Sequence, residues 1–337
     1  MKVLFIGGTG NLSRDCTLRA LAKGMEVWHL NRGSNATETP PGVVTLSADI
    51  REEAAAARVL GSERFDAVVD FVAYTRGDIE EDIRLFHGRT RQFVFISSAS
   101  AYRKPPVHHV ISESTPLANP FWKYAQDKIE CEKRLEEEAR VAGFPYTTVR
   151  PSHTYGAHMI PTAFASSDFT VPKRLLDGRR VVVHGDGQSL WTLTHARDFA
   201  VGLVGLLGNP AAIGEAVQIT GDEALTWDAI HATIAAALGV EPKIVHVPSD
   251  FIAAANPERG AHFLGDKTYS ALFDCSKLKR LVPEFRTTVS FHEGIRESTA
   301  WYLADPSRQK VDPTIDAAID AILVAWDRNP VHAASMT

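Results

Sequence analysis

The run Lys2-Val3-Leu4-Phe5-Ile6 passes without a break into Gly7-Gly8-Thr9-Gly10-Asn11-Leu12-Ser13. A short apolar run that meets glycines at once reads as a buried strand ending in a tight turn. Residues 11–23 then have helical spacing, so the turn feeds directly into a helix. Strand, glycine turn and helix in that order open a βαβ unit, whose crossover commits the chain to a parallel sheet.

The pattern repeats. Residues 26–30, 43–47, 67–72, 92–96 and 146–150 are short, β-branched and rarely alternating, as expected of strands covered on both faces. Helical spacing lies between them at 51–60, 78–86 and 122–141, the last stopped by Gly143 and Pro145. The predicted class is α/β: a Rossmann-type doubly wound parallel sheet with a smaller C-terminal lobe.

Glycines after the first strand let the backbone approach a pyrophosphate, which sits on the outward N–H groups of a helix N-terminus. Gly7, Thr9, Gly10, Asn11 and Leu12 are therefore candidate cofactor contacts. The spacing is G-x-x-G-x-x-S, and Ser13 in place of a third glycine is expected to loosen the helix–strand packing slightly. An acid at the end of the second strand would bind the ribose of NAD, whereas an arginine suits the 2′-phosphate of NADP. The chain has Asn31-Arg32-Gly33 there, which leans to NADP over NAD. Asp49 and Ile50, after the third strand, are placed to hold the adenine edge and face. Asp49 also suits a helix N-cap.

Tyr124 and Lys128 stand four apart in a strongly helical segment and share a face. Alone, that spacing usually marks an ordinary helix surface. With an ammonium beside it, however, a tyrosine can do acid–base work that its free pKa of about 10 forbids. The preceding strand ends in Ser97-Ser98-Ala99-Ser100, where a hydroxyl can hold a substrate oxygen. Glycine loop, serine strand end and Tyr–Lys helix occur in one order, so each strengthens the others.

In this combination the sequence resembles the extended short-chain dehydrogenase/reductase family, within it the NAD(P)-dependent epimerase/dehydratase branch. The matching segments are Gly7-Gly8-Thr9-Gly10, Asp49-Ile50, Phe95-Ile96-Ser97-Ser98-Ala99-Ser100-Ala101-Tyr102, Tyr124-Ala125-Gln126-Asp127-Lys128 and Arg150-Pro151-Ser152-His153-Thr154-Tyr155-Gly156. His184-Gly185-Asp186-Gly187 and Thr194-His195-Ala196-Arg197-Asp198 continue the match. The resemblance implies Ser98, Tyr124 and Lys128 as the catalytic residues, with Ser100 the lesser candidate hydroxyl. It implies that Phe71, Ala73, Ser97, Tyr124, Lys128, Pro151 and His153 line the cofactor. It further implies a dinucleotide-binding domain over 1–155, with 195–220 returning to it through a helix at 195–207. A mainly substrate-binding lobe would occupy 156–310, and a helix (315–326) and polar tail 311–337.

Departures from the family pattern narrow the activity. Ala99-Ser100 offers no carboxylate beside the catalytic hydroxyl, which argues against a 4,6-dehydratase. His153 stands where many nucleotide-sugar enzymes have an asparagine for the substrate diphosphate. Lys173, Arg174, Arg179 and Arg180 would meet such a diphosphate, or else form a solvated helix end. The expected chemistry moves a hydride to and from a secondary alcohol carbon, with C4 epimerisation of a nucleotide sugar as the specific expectation. An NADPH-dependent ketoreductase or dehydrogenase of a biosynthetic pathway is the alternative. A non-catalytic dinucleotide- or RNA-binding scaffold is the second class, since a divergent subgroup includes plastid proteins reported as RNA-binding.

The formal charge of −5 argues against a nucleic-acid partner. Three scattered cysteines, with no CxxC pair, indicate neither disulfides nor a metal site, and His108-His109 reads as a loop feature. No run approaches the ~20 apolar residues of a membrane span. A small-molecule substrate, a cytoplasmic location and a homodimer pairing through the 78–86 and 122–141 helices are the remaining expectations. Trp122 and Trp191 adjoin motifs and have some claim to a substrate cleft; Trp227 reads as core.

Overall fold

The computed structural model describes residues 1–33, 39–164 and 168–329. The first half of the chain runs β1 (Lys2–Ile6), α1 (Asn11–Ala22), β2 (Glu26–Asn31), β3 (Val44–Ser47), α2 (Glu53–Leu60), β4 (Ala67–Asp70), α3 (Arg76–Phe86), β5 (Phe93–Ile96), β6 (Val110–Ile111), α4 (Lys123–Ala142) and β7 (Tyr146–Pro151). The second half opens with β8 (His153–Tyr155), α5 (Thr170–Leu176), β9 (Arg180–His184), β10 (Leu190–His195), α6 (Ala196–Leu206), β11 (Ala216–Ile219) and β12 (Ala224–Thr226). It closes with α7 (Trp227–Leu238), β13 (Lys243–Val247), α8 (Ser249–Ala255), α9 (Pro257–His262), β14 (Leu272–Phe273), α10 (Ser276–Leu281), α11 (Phe291–Leu303) and α12 (Pro313–Asp327).

Seven parallel strands form the central sheet in the order β11-β7-β5-β4-β1-β2-β3. Strand residues alternate between its faces. Val3, Phe5, Val69, Val94 and Val149 pack with Phe199 and Leu203 of α6, while Leu4, Ile6, Val68, Phe93 and Phe95 pack with Ile79, Ile83, Cys131 and Leu135 of α3 and α4. Two covered faces explain why these strands read as unbroken apolar runs. The chain leaves β1 for β2 on one side, and later elements add β4 and β5 on the other. The crevice beyond the C-terminal ends of β1 and β4 is therefore the topological switch point, where such sheets bind ligands.

Side chains explain where elements depart from the sequence pattern. β4 ends at Asp70, two residues early, because Asp70 Oδ1 accepts the Ala73 N–H at 2.9 Å and also the Val72 N–H, turning the chain. α2 starts at Glu53, because Arg51 is drawn toward Asp70 (2.9 Å) and the Asp78 carbonyl (2.8 Å). α3 starts earlier, at Arg76, since Thr75 and Asp78 form a capping box.

The second lobe has its own apolar cluster, centred on Trp191, Trp227, Phe263 and Phe291. α12 is fastened to it by charge. Buried Arg174 reaches Asp316 (2.6 Å) and Asp320 (2.7 Å), Arg179 grips the same two carboxylates, and Arg180 holds Asp327. Lys173 pairs with Asp177 along α5. Of the four cations considered for a substrate diphosphate, Arg174, Arg179 and Arg180 are thus committed to fastening α12, and Lys173 to a surface pair along its own helix. Residues 330–337, the end of the predicted tail, lie outside the described residues. No helix among the described residues is long and apolar enough to cross a membrane.

One buried polar network joins α4 to the sheet. Glu132 accepts Arg150 Nε at 3.0 Å and Nη2 at 2.5 Å, and the Ser97 hydroxyl also donates to it. Arg150 Nη1 continues to Tyr102 Oη (3.3 Å), which donates to Gln218 of β11 at 2.9 Å. Removing one partner of a buried pair strands the other charge away from water. Glu132→Ala should therefore cost about 3–5 kcal/mol in urea unfolding. Lys133→Ala, which breaks a surface pair with Glu130, should leave the midpoint unchanged.

Candidate active site

The switch-point crevice holds two cavities that share Tyr74 as a wall. The first, of about 520 Å³, is lined by Gly7, Thr9 and Gly10 of the glycine turn, Asn31 and Arg32 after β2, and Asp49 and Ile50 after β3. Gly7 has φ +78°, and a Cβ there would stand 2.5 Å from Val72 Cγ1. A Cβ on Gly8 would lie 2.4 Å from the ring of His29. His29 is fully buried, burial pushes its pKa down to about 4, and Nε2 meets Thr17 Oγ1 at 2.9 Å. A neutral imidazole under the turn thus requires a residue with no side chain above it.

Ser13 does not loosen the loop. Its hydroxyl donates to the Gly7 carbonyl (2.7 Å) and accepts the Gly10 N–H (2.8 Å), stapling the turn closed. The first turn of α1 carries no acidic side chain, so its positive end is left for an anion. This turn, the cavity beside it and the lack of an acidic side chain in the first turn of α1 fit a dinucleotide diphosphate. Arg32 is largely exposed and stands 3.7 Å from Asp49, whose other oxygen accepts the Arg51 N–H at 3.0 Å. Asp49 therefore makes a turn, and the helix cap falls to Glu52.

The second cavity, of about 650 Å³, lies between the sheet and the second lobe. Leu12, Phe71, Ser97, Ser98, Tyr124, Lys128, Pro151 and His153 all line it. Lys128 is buried, and its ammonium donates to the carbonyls of Ala73 (2.7 Å) and Ile96 (2.8 Å), leaving one proton for another partner. Burial lowers its pKa to about 8. It stands 5.7 Å from the centre of the Tyr124 ring. Tyr124 packs against Trp122 (4.8 Å) and Tyr74 (6.3 Å). Burial pushes its phenol well above the ordinary value, and the opposing influence is a hydrogen bond with Ser98. The expected lowering by Lys128 is not what dominates here: the ammonium is spent on carbonyls. Ser98 Oγ also lies 2.9 Å from Ser100 Oγ, so both candidate hydroxyls belong to one cluster.

Two candidate residues stand apart from these walls. Asn11 directs its amide to Met159 Sδ at 3.8 Å, and Ala73 is buried, offering only its carbonyl to Lys128. Ser97 lines the cavity, yet its hydroxyl is engaged by Glu132. His153 faces the substrate side, where Nδ1 accepts the Trp191 indole N–H at 3.2 Å and burial lowers its pKa to about 3. Trp122 and Trp191 line the cavity, while Trp227 is core.

Sequence reasoning missed Tyr74, Lys104, Arg259, His262, Asp266 and Lys267, all part of the cavity wall. Lys267 ends a π-helical turn, Phe263–Lys267, a form often found at functional sites. Lys104 follows the serine motif closely enough to have been suspected, but nothing local marks it as buried.

A model of the NAD dependent epimerase/dehydratase family matches residues 83–220. A 2′-dehydrokanamycin reductase of Streptomyces kanamyceticus is 28% identical over 85% of this chain and 80% of its own. A chloroplast stem-loop binding protein of 41 kDa from Arabidopsis thaliana is 26% identical over 78% of this chain and 71% of its own. The fold is similar to a UDP-glucose 4-epimerase from Bifidobacterium longum solved with NAD+ and UDP, with TM-score 0.72 and 19% identity, covering 91% of this chain and all of that one. An epimerase from Methanothermobacter thermautotrophicus aligns with TM-score 0.76 and 18% identity, covering 91% of this chain and 93% of that one. Fold, motif order and these relatives point the same way: the chain is similar to NAD(P)-dependent epimerase/dehydratase enzymes of the extended short-chain dehydrogenase/reductase type.

Proposed function

We propose that this enzyme reduces a ketone on a small polar substrate to a secondary alcohol, drawing hydride from NADPH. The observation that carries this reading is the end of β2, where Asn31 and Arg32 line the adenosine-side cavity with no carboxylate on that strand end. A guanidinium there suits a 2′-phosphate. A cofactor of that kind is exchanged at each turnover, as a reductase requires. The similarity to a reductase along most of the chain supports the same reading. C4 epimerisation of a nucleotide sugar has less support, because Lys173, Arg174, Arg179 and Arg180 are paired with acids or main chain away from the cavity.

Bound NADPH would be held by Gly7, Thr9, Gly10 and Leu12 at its diphosphate, by Asp49 and Ile50 at adenine, and by Phe71, Pro151 and Lys128 at its nicotinamide end. When bound, the cofactor would be the source of the hydride for the carbonyl carbon. Ser98 donates a hydrogen bond to the carbonyl oxygen, and Tyr124 gives that oxygen its proton, so hydride and proton together make the alcohol. A phenol held above its ordinary pKa stays protonated, which suits an acid in the reducing direction. Lys128 keeps Tyr124 and the cofactor ribose in register and stabilises the phenolate left behind.

Tyr124→Phe should lower turnover by ~10²–10⁴-fold while leaving NADPH affinity intact. A scaffold would show no loss. The protein should bind NADPH at least about tenfold more tightly than NADH, and Arg32→Ala should erase the difference. Near-stoichiometric NAD in the freshly denatured protein would instead favour the epimerase. Because the Lys128 pKa lies near 8, its charge disappears at lower pH than in the free chain. Turnover should fall through an alkaline limb near pH 8. Stability moves the other way: between about 8 and 10.5 the unfolded chain holds more protons, so this group makes stability rise with pH. Lys128→Met should abolish both effects.

A further inference from the structure

The substrate cavity is walled by cations that sequence reasoning missed and that the reduction does not use. Lys104 is only 4% exposed, lines the cavity, and its ammonium has no hydrogen-bond partner among the described residues. Its main chain is held by an N–H···O bond to Ala118 at 2.9 Å, next to one from Arg103 to Pro116 at 2.8 Å, so the side chain is built into the wall. Lys267, 3% exposed, enters the same cavity from the π-helical turn. It is partly satisfied, by His262 Nε2 at 2.7 Å and Asp266 at 3.4 Å. Arg259 is the third cation on the wall.

The opposing charges are fewer. Asp266 and Asp312 are the carboxylates lining this cavity among the described residues. Asp312 is occupied in capping α12, where it accepts the Thr314 N–H at 2.8 Å. The imidazoles of His153 and His262 are kept neutral by burial and by the Lys267 charge. The Lys104 chain is buried but its ammonium is not sealed off: it opens onto the cavity, where a bound anion would pair with it. Burial pulls Lys104 below its ordinary pKa, and Asp266 opposes this through space.

We propose that the ketone substrate carries an anionic group, a carboxylate or a phosphate, bound by Lys104 with Lys267 and Arg259 beside it. The inference rests on the ketone-reductase reading and names its substrate class. A polyamine substrate would meet like charge on this wall and be refused.

The test uses the full-length protein saturated with NADP+, with tryptophan fluorescence as the readout, since Trp122 and Trp191 line the cavity. The probes are levulinate, its uncharged amide 4-oxopentanamide, the amine 5-amino-2-pentanone, and hydroxyacetone phosphate. Levulinate or hydroxyacetone phosphate should bind at least about tenfold more tightly than the amide, with the amine weakest. The better of the two anions identifies carboxylate or phosphate. Lys104→Met should bring the anion down to the affinity of the amide, and Lys104→Arg should keep the preference. NADPH affinity and the urea midpoint report whether each variant is folded. Equal or tighter binding of the amide or amine, binding of no probe, or a preference that survives in Lys104→Met would each overturn the proposal. NADPH oxidation is followed separately. Anion preference without oxidation of NADPH would sink the reductase reading and leave the anion site standing.

Discussion

An ammonium held between two main-chain carbonyls organises the candidate active site of this molecule. Lys128 projects from α4 to the carbonyls of Ala73, just beyond β4, and Ile96, at the end of β5. Both lie on the C-terminal edge of the sheet, beside the crevice that the strand order creates. A buried charge of this kind needs its full set of acceptors. The two carbonyls therefore fix where α4 sits along the sheet, and with it the height of Tyr124 one turn earlier.

The same face of α4 is fixed a turn later by Glu132. Its pairing with Arg150 and Ser97 ties the helix to β7 and to the end of β5, and Tyr102 and Gln218 extend the network to β11. The reactive groups thus rest on rigid elements braced from beneath. Burial makes both Tyr124 and Lys128 favour their uncharged forms more than they would in water.

The two cavities divide the work by their walls. The first cavity meets bare main chain at the glycine turn, because Val72 and a buried neutral His29 leave no room for a side chain on Gly7 or Gly8, while Arg32, Asp49 and Ile50 line its other side. The second cavity adds large and charged residues from the second lobe and from the loops after β5, among them Lys104, Trp191, Arg259 and Lys267. The fold is shared with a UDP-glucose 4-epimerase and the sequence is similar to a reductase, and fold alone does not decide between such activities.

The amino-acid sequence by itself determined the parallel sheet, the glycine turn and the order of the serine and Tyr–Lys motifs. Each is a local property: apolar periodicity, a residue that tolerates positive φ, or two side chains one helical turn apart. Ser98, Tyr124 and Lys128 could be named for that reason. What the sequence left open depends on partners far away along the chain. Arg174, Arg179 and Arg180 read as a solvated helix end or a phosphate site until α12 brings Asp316, Asp320 and Asp327 against them. Ser13 reads as a defect until its hydroxyl closes the turn. Lys104 and Lys267 carry no local mark in the sequence, since nothing there records that two distant segments will enclose them. Only the tertiary structure decides which charges are neutralised by neighbours and which are left facing a cavity, because desolvation and pairing are set by what packs around a group.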